Sequence, residues 1–154
     1  MTSTTPVLDH AGLTCADLAA SLAFYHDLLG MPLLEQGEAQ ARAAGIEDAW
    51  LAFAMLDAGR GQMIELLEYR RPRSAPSVAP PVSSAGGGHV ALGVQDLDGL
   101  LARLAEAGVH PLTGEPVTVS GDGHWDGARL VYVLDPDRHV VELIQFAAGS
   151  RIHG

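Results

Sequence analysis

Apolar and polar positions follow the same order twice along this chain. Each half begins with a short β-prone stretch, continues with apolar residues at helical spacing, and ends with further β-prone stretches. In the first half the helical positions are Leu18, Leu22, Tyr25 and Leu29, and the pattern stops at Gly30. The repeat predicts one βαβββ module in each half, and therefore an α+β fold.

The repeat also sets the expected domain boundaries. Residues 7–69 form the first module and residues 88–147 the second, and a Pro-, Ser- and Gly-rich linker at 70–87 joins them. The predicted elements of the first module are a strand at 7–14, a helix at 17–29, and strands at 33–36, 50–56 and 62–69. Those of the second are a strand at 88–94, a helix at 97–107, and strands at 109–119, 128–134 and 139–146.

One histidine and one glutamate occupy matching places in the two modules. His10 and His89 each lie in the first strand of a module, seven residues before an Asp-Leu pair. The aspartates of these pairs, Asp17 and Asp96, are the predicted N-caps of the helices. Glu65 and Glu142 each lie in a last strand, directly before a leucine, 55 and 53 residues after their histidines. Two imidazoles and two carboxylates related by a repeat are a suitable ligand set for a divalent metal ion.

The strand context of the glutamates supports a metal site. Alternation places Glu142 on one face with Val140 and Ile144, and Glu65 has a similar apolar setting. An unpaired carboxylate on an inward apolar face costs several kcal/mol, and a bound metal ion removes that cost. A lone histidine in a strand is more often a hydrogen-bonded structural residue, and a lone glutamate can face solvent. Four such residues at matching positions favour metal binding.

Composition excludes several classes of function. The formal net charge of −10 argues against nucleic acid or an anionic membrane as partner. No apolar run approaches the roughly 20 residues of a membrane span, and the first residues do not resemble a signal peptide. The single cysteine, Cys15, excludes an internal disulfide and favours a cytoplasmic location. The chain has no lysine, which excludes lysine-imine chemistry.

Further side chains are candidates to contact a substrate. Those on strands could equally pack in the core, which is the favoured alternative for Trp50 and Phe53. Residues 120–127 form a Gly- and Asp-rich loop that could cover a substrate or be an ordinary hairpin loop. His139 alternates out of phase with Glu142 and is not counted as a ligand. The candidate substrate-binding residues are Trp50, Phe53, His124, Trp125, Arg129 and Tyr132.

Five stretches of the chain match a known family, namely residues 9–13, 17–31, 64–67, 88–98 and 135–143. They resemble the vicinal oxygen chelate superfamily, which includes glyoxalase I, methylmalonyl-CoA epimerase, bleomycin-resistance proteins, fosfomycin-resistance enzymes and extradiol dioxygenases. The resemblance covers roughly residues 7–147 and implies paired βαβββ modules that form an incomplete barrel around one metal ion. It also implies the metal ligands, which are His10, Glu65, His89 and Glu142.

The resemblance implies an isomerase or lyase of the glyoxalase and epimerase type. In that branch a divalent ion acts as a Lewis acid and stabilises an enolate of a small oxygenated substrate. Glu142 or Glu65 would move the proton. Zinc, nickel, cobalt, manganese and iron all suit this ligand set. Two alternatives remain open: an Fe(II)-dependent ring-cleaving dioxygenase, and a metal-free protein that sequesters a hydrophobic natural product.

Two positions depart from glyoxalase I. Bacterial members carry an arginine four residues after the first ligand histidine, where this chain has Thr14. An asparagine expected four residues after the first ligand glutamate is Tyr69 here. Both departures argue against glutathione as cosubstrate. The resemblance further implies a homodimer, with modules paired either within one chain or across two.

Overall fold

Two four-stranded mixed sheets, each accompanied by one helical segment, make up the fold. The structure is a computed structural model that describes residues 5–42, 45–75 and 80–148. The chain divides into two units, Met1–Pro76 and Ser77–Gly154. Each unit has the order strand, helix, three strands, which confirms the predicted α+β fold class. Residues 76–79 of the predicted linker lie outside the described residues, and the module boundaries stay predictions.

The first unit has its sheet in the strand order β1-β4-β3-β2, with β1 parallel to β4 and the other pairs antiparallel. A π-helical segment, Ala23–Leu28, continues the short α-helix, and the Leu29 N–H donates to the carbonyl of Phe24 five residues earlier at 2.9 Å. The helix predicted at 17–29 is therefore part α and part π. The elements are β1 (His10–Thr14), α1 (Leu18–Leu22), β2 (Leu33–Gln40), β3 (Trp50–Gly59) and β4 (Gln62–Arg71).

The second unit repeats this topology in the strand order β5-β8-β7-β6. The strand predicted at 109–119 is wrong over most of its length, because only β6 is regular there. Pro111 and Pro116 have no N–H to donate to a neighbouring strand, and Gly114 has φ +84°. The elements are β5 (His89–Gly93), α2 (Leu97–Glu106), β6 (Val117–Thr118), β7 (Arg129–Leu134) and β8 (Val140–Gln145).

Helix packing decides which face of each sheet is the core. In β4, Ile64 and Leu66 are buried on the face that packs against α1, and in β8 the equivalent residues are Val141 and Leu143. Alternation places the metal-ligand candidates of β4 and β8 on the opposite face. Among the described residues, no helix is long and apolar enough to cross a lipid bilayer.

The helices begin at the aspartates predicted as N-caps. The carboxylate of Asp17 accepts hydrogen bonds from the N–H groups of Ala19 at 2.9 Å and Ala20 at 3.2 Å. Asp96 accepts one from Gly99 at 2.9 Å. Such caps satisfy N–H groups that have no partner within the helix, and each contributes about 1 kcal/mol.

A second pair of side chains ties each helix to its sheet. The N–H of Leu18 donates to Oε2 of Glu68 at 3.0 Å, and the N–H of Leu97 donates to Oε1 of Gln145 at 2.9 Å. Each acceptor lies three residues after the candidate ligand glutamate of its module, on the helix-facing side of the strand. The repeat therefore extends to a third equivalent position, which sequence analysis did not identify.

Candidate metal centre

The first histidine–glutamate pair forms where β1 and β4 lie side by side. Gly12 of β1 is in register with Glu65 of β4, so His10, two residues earlier, shares a face with the glutamate. Its Nε2 lies 3.4 Å from Oε2 of Glu65. The Glu65 side chain is 25% exposed. The sequence had placed this face inward, but it is only half-buried because the helix covers the other side of the sheet.

The second pair repeats this geometry more tightly. Ala91 of β5 is in register with Glu142 of β8, and His89 again lies two residues before that position. The distance between Nε2 of His89 and Oε2 of Glu142 is 2.9 Å. The Glu142 side chain is 6% exposed, so burial of this glutamate is as the sequence predicted.

In each pair the two donor atoms lie at a separation that a bound metal ion would impose. Metal–ligand bonds of about 2.1 Å meeting at tetrahedral or octahedral angles separate two donor atoms by about 3.0–3.4 Å, and the two observed distances of 3.4 and 2.9 Å are close to this range. Catalytic metal ions usually take three protein ligands. In neither unit do the described residues gather three His, Cys, Asp or Glu side chains into a metal-binding group. Neither pair by itself therefore supplies the three ligands of a typical catalytic metal site.

The two histidines have different neighbours. Nδ1 of His10 lies 2.9 Å from Oδ2 of Asp9. This hydrogen bond raises the pKa of His10 above its ordinary value of 6.5, partial desolvation opposes the rise, and the negative charges of Glu65 and Asp9 add to it. Asp9 was not singled out from the sequence, because its residue type and position alone do not show where its side chain points.

His89 instead contacts an aromatic ring. Tyr132 is opposite Glu142 in the β7–β8 pair, and its ring meets the imidazole of His89 edge to face, with centroids 5.4 Å apart. Burial raises the pKa of Tyr132 above its ordinary value of 10, and the negative charge of Glu142 raises it further. The phenol therefore keeps its proton at neutral pH, next to both metal-ligand candidates of this unit.

The other candidates on strands divide between the two faces. Phe53 lies opposite Leu67, on the same face as Glu65. Trp50 lies on the opposite face, and its indole N–H donates to Oε2 of Glu38 in the edge strand at 3.2 Å. The structure thus groups Phe53, but not Trp50, with the first His–Glu pair.

Arg129 lies on the helix side of its sheet. It is in register with Gln145, and its guanidinium makes two hydrogen bonds of 2.8 Å to the carboxylate of Asp98 in α2. This bidentate pair lowers the pKa of the Asp98 carboxyl. Arg129 therefore joins α2 to β7 and is not grouped with Glu142.

The loop at 120–127 presents an aromatic cluster. Trp125 packs against Phe146 with ring centroids 5.4 Å apart. The ring centroid of His124 lies 5.5 Å from that of Trp125. The loop is held by hydrogen bonds from the N–H of Gly121 to Asp126 and from the N–H of Gly127 to the carbonyl of Val119. Trp125 remains 38% exposed.

His139 is bound by a carboxylate within its own turn. The buried Asp135 accepts hydrogen bonds from the N–H groups of Asp137 and His139, at 3.0 and 2.7 Å, and lies 2.8 Å from Nδ1 of His139. The Asp135 hydrogen bond raises the pKa of His139 above 6.5, against a smaller effect of desolvation. Asp135 and Asp137 add to the rise through their charges.

This raised pKa predicts a pH-dependent contribution to stability. Because the folded protein holds the proton more tightly than the unfolded chain, the contribution is fully present below pH 6.5 and is lost as the pH rises through the folded pKa. We expect His139→Gln to destabilise the protein by about 1–2 kcal/mol more at pH 5.5 than at pH 9. Urea unfolding at both pH values measures this. The exposed His110→Gln is the matched control, and equal losses for His139→Gln at both pH values would contradict the pairing.

Comparison with known proteins identifies the family. The sequence profile of the Glyoxalase/Bleomycin resistance protein/Dioxygenase superfamily matches residues 7–143. The chain is 32% identical over 149 residues to a 2-epi-5-epi-valiolone epimerase from Actinomyces sp., covering 92% of this chain and 80% of the relative. It is also 32% identical over 136 residues to a "probable lactoylglutathione lyase" from Vibrio cholerae, covering 88% of each chain.

Solved structures agree on the fold. A glyoxalase family protein from Bacillus cereus superposes with a TM-score of 0.78 at 18% identity, covering 96% of this chain and 100% of the other. A lactoylglutathione lyase from Agrobacterium tumefaciens gives a TM-score of 0.58 at 19% identity, covering 93% and 96%. At these identities the likeness establishes the fold alone. The sequence matches and the βαβββ repeat together show that the chain belongs to the Glyoxalase/Bleomycin resistance protein/Dioxygenase superfamily.

Proposed function

We propose that this protein is a metal-dependent isomerase or lyase that moves a proton at the carbon next to a carbonyl of a small oxygenated substrate. The observation that carries the proposal is the His–Glu pair in each unit, with donor atoms 3.4 and 2.9 Å apart. Relatives named as an epimerase and a lactoylglutathione lyase support the same class of reaction.

The proposed ligands are His10, Glu65, His89 and Glu142, holding one divalent ion per pair of modules. Imidazole nitrogens and carboxylate oxygens suit zinc, nickel, cobalt, manganese and iron, and the donor set does not choose among them. When bound, such an ion acts as a Lewis acid toward the substrate carbonyl and stabilises the negative charge that develops on its oxygen.

The chain itself supplies the base. Glu142 and Glu65 are the two candidates, because each is a carboxylate beside a histidine on the face of its sheet opposite the helix. Glu142 is the more buried of the two and lies closer to its histidine. Tyr132, which lies opposite Glu142 and keeps its proton, would donate a hydrogen bond to a substrate oxygen.

The remaining candidates define where a substrate would be held. Phe53 shares a face with Glu65, and His124 and Trp125 form an exposed aromatic cluster. Trp50 and Arg129 are engaged by Glu38 and Asp98, so we leave them out of the proposed site. A cytoplasmic location and a homodimer complete the proposal, and sedimentation at micromolar concentration tests the dimer.

Thr14 and Tyr69 favour a substrate that does not carry glutathione, and the name of the epimerase relative suggests 2-epi-5-epi-valiolone as the compound to test first. We expect the metal-loaded protein in D₂O to introduce deuterium next to the carbonyl of 2-epi-5-epi-valiolone. The same assay with the hemithioacetal of methylglyoxal and glutathione should give much slower exchange. Nuclear magnetic resonance follows both reactions, and a chelator should stop the exchange until metal is restored.

Deuterium exchange, combined with oxygen uptake and ligand binding, distinguishes the alternative functions. Oxygen uptake with catechols and Fe(II), without deuterium exchange, would identify a ring-cleaving dioxygenase instead. Tight binding of a hydrophobic compound by metal-free protein, with no turnover of any carbonyl substrate, would support sequestration. In that case the exposed Trp125 would be the binding surface.

A further inference from the structure

We infer that Asp9 is a positioning residue for His10, which sets the tautomer of the imidazole and fixes the direction of Nε2. The inference rests on the proposed function, because His10 is one of the proposed ligands. Its basis is the 2.9 Å contact between Oδ2 of Asp9 and Nδ1 of His10, with Nε2 of the same ring 3.4 Å from Glu65.

The chemistry of the contact determines where the proton lies. An ionised carboxylate can only accept a hydrogen bond, so Nδ1 of His10 must carry the proton that it donates to Asp9. In the neutral ring the lone pair is then on Nε2, the atom that faces Glu65. That is the arrangement a metal-ligating histidine requires, and a carboxylate behind the ring also makes Nε2 more basic.

The backbone holds Asp9 in place for this role. The carbonyl of Asp9 accepts a hydrogen bond from the N–H of Met63 at 3.1 Å, which ties the residue to β4 just before β1 begins. The Asp9 side chain is 72% exposed, and an exposed pair of this kind contributes little to stability. If the pair were only structural, removing Asp9 would change neither stability nor metal affinity by much. If Asp9 positions His10, removing it should weaken metal affinity.

The second module has a glycine where the first module has Asp9. Gly88 precedes His89 and has no side chain to contact the ring. His89 is instead packed by Tyr132, whose equivalent opposite Glu65 is Met55. The two histidines therefore contact residues at different positions of the repeat, and within the described residues Nδ1 of His10, but not that of His89, contacts a carboxylate.

Substitutions can remove this contact from the first module or introduce a carboxylate at the equivalent position of the second. Asp9→Gly copies the second module and removes carboxylate and hydrogen bond, while Asp9→Asn removes the charge and keeps an acceptor. Gly88→Asp adds a carboxylate at the equivalent position, and a Cβ placed there meets no atom within 4 Å. The exposed Glu106→Gln is the control that removes one negative charge elsewhere.

We expect Asp9→Gly to weaken zinc affinity by about 10–100-fold, the usual effect of losing a partner behind a ligand. Asp9→Asn should lose less, Glu106→Gln nothing, and Gly88→Asp should bind zinc at least as tightly as wild type. Competition with a chromophoric zinc chelator measures the affinities. The thermal midpoint of Asp9→Gly should match wild type.

A second readout does not depend on metal. Nitrogen-15 spectra of the metal-free protein at pH 9 should show the His10 proton on Nδ1 in wild type and shifted toward Nε2 in Asp9→Gly. Unchanged ring spectra, or unchanged zinc affinity in Asp9→Gly, would overturn the positioning role of Asp9. A wild type that binds no zinc but keeps the Nδ1–H tautomer would overturn the proposed metal site instead, so the two failures are distinguishable.

Discussion

Glu142→Gln is expected to lower turnover by about 10²–10⁴-fold, the range typical of removing a general base. Glutamine keeps an oxygen that can coordinate a metal ion but cannot take a proton near neutral pH. Metal should therefore be partly retained while proton transfer is lost. Deuterium should no longer enter the substrate at the carbon next to its carbonyl, which nuclear magnetic resonance in D₂O measures directly.

Glu65→Gln, made in parallel, identifies which of the two glutamates is the base. The variant with the larger loss of exchange at equal metal occupancy carries that role. Glu68→Gln is the matched control, because it lies three residues after Glu65 on the helix side of β4 and keeps an acceptor for the N–H of Leu18. It should retain turnover. Full deuterium exchange in both Glu65→Gln and Glu142→Gln would show that neither glutamate moves the proton.

His89→Ala is expected to lose the metal ion while the fold is largely kept. His89 is 38% exposed, so its removal leaves little buried volume unfilled, but it takes away one nitrogen donor. Elemental analysis gives the metal content, and circular dichroism verifies the fold.

His139→Ala is the control for this loss. His139 belongs to the same unit and lies three residues from Glu142, but it is bound to Asp135. It should lower stability and leave the metal content unchanged. Equal metal content in His89→Ala and wild type would remove His89 from the ligand set.

Sequence analysis could predict the fold because the module is repeated. Periodicity at 3.6 residues located both helices, and the aspartates before them are N-caps as expected. The repeat also made His10, Glu65, His89 and Glu142 comparable in pairs, and the structure brings the members of each pair within 3.4 Å. Local periodicity was sufficient for the helices, and the internal repeat was sufficient for the His–Glu pairs.

Side-chain direction and long-range contacts could not be predicted in the same way. Alternation shows which residues share a face, but the covered face is known only once the helix is placed. Trp50 and Arg129 therefore appeared to be candidates, although they bind Glu38 and Asp98. Similarly, Glu68 contacts Leu18 across 50 residues of sequence, a distance at which local periodicity carries no information.

The most direct test of the proposed metal site is the divalent-metal content of wild-type protein purified without chelator. We predict one divalent ion per chain, removed by dialysis against chelator and restored by adding zinc, nickel, cobalt, manganese or iron(II). A folded protein that holds no divalent ion, and takes up none from any of these five metals, would contradict the ligand set of His10, Glu65, His89 and Glu142.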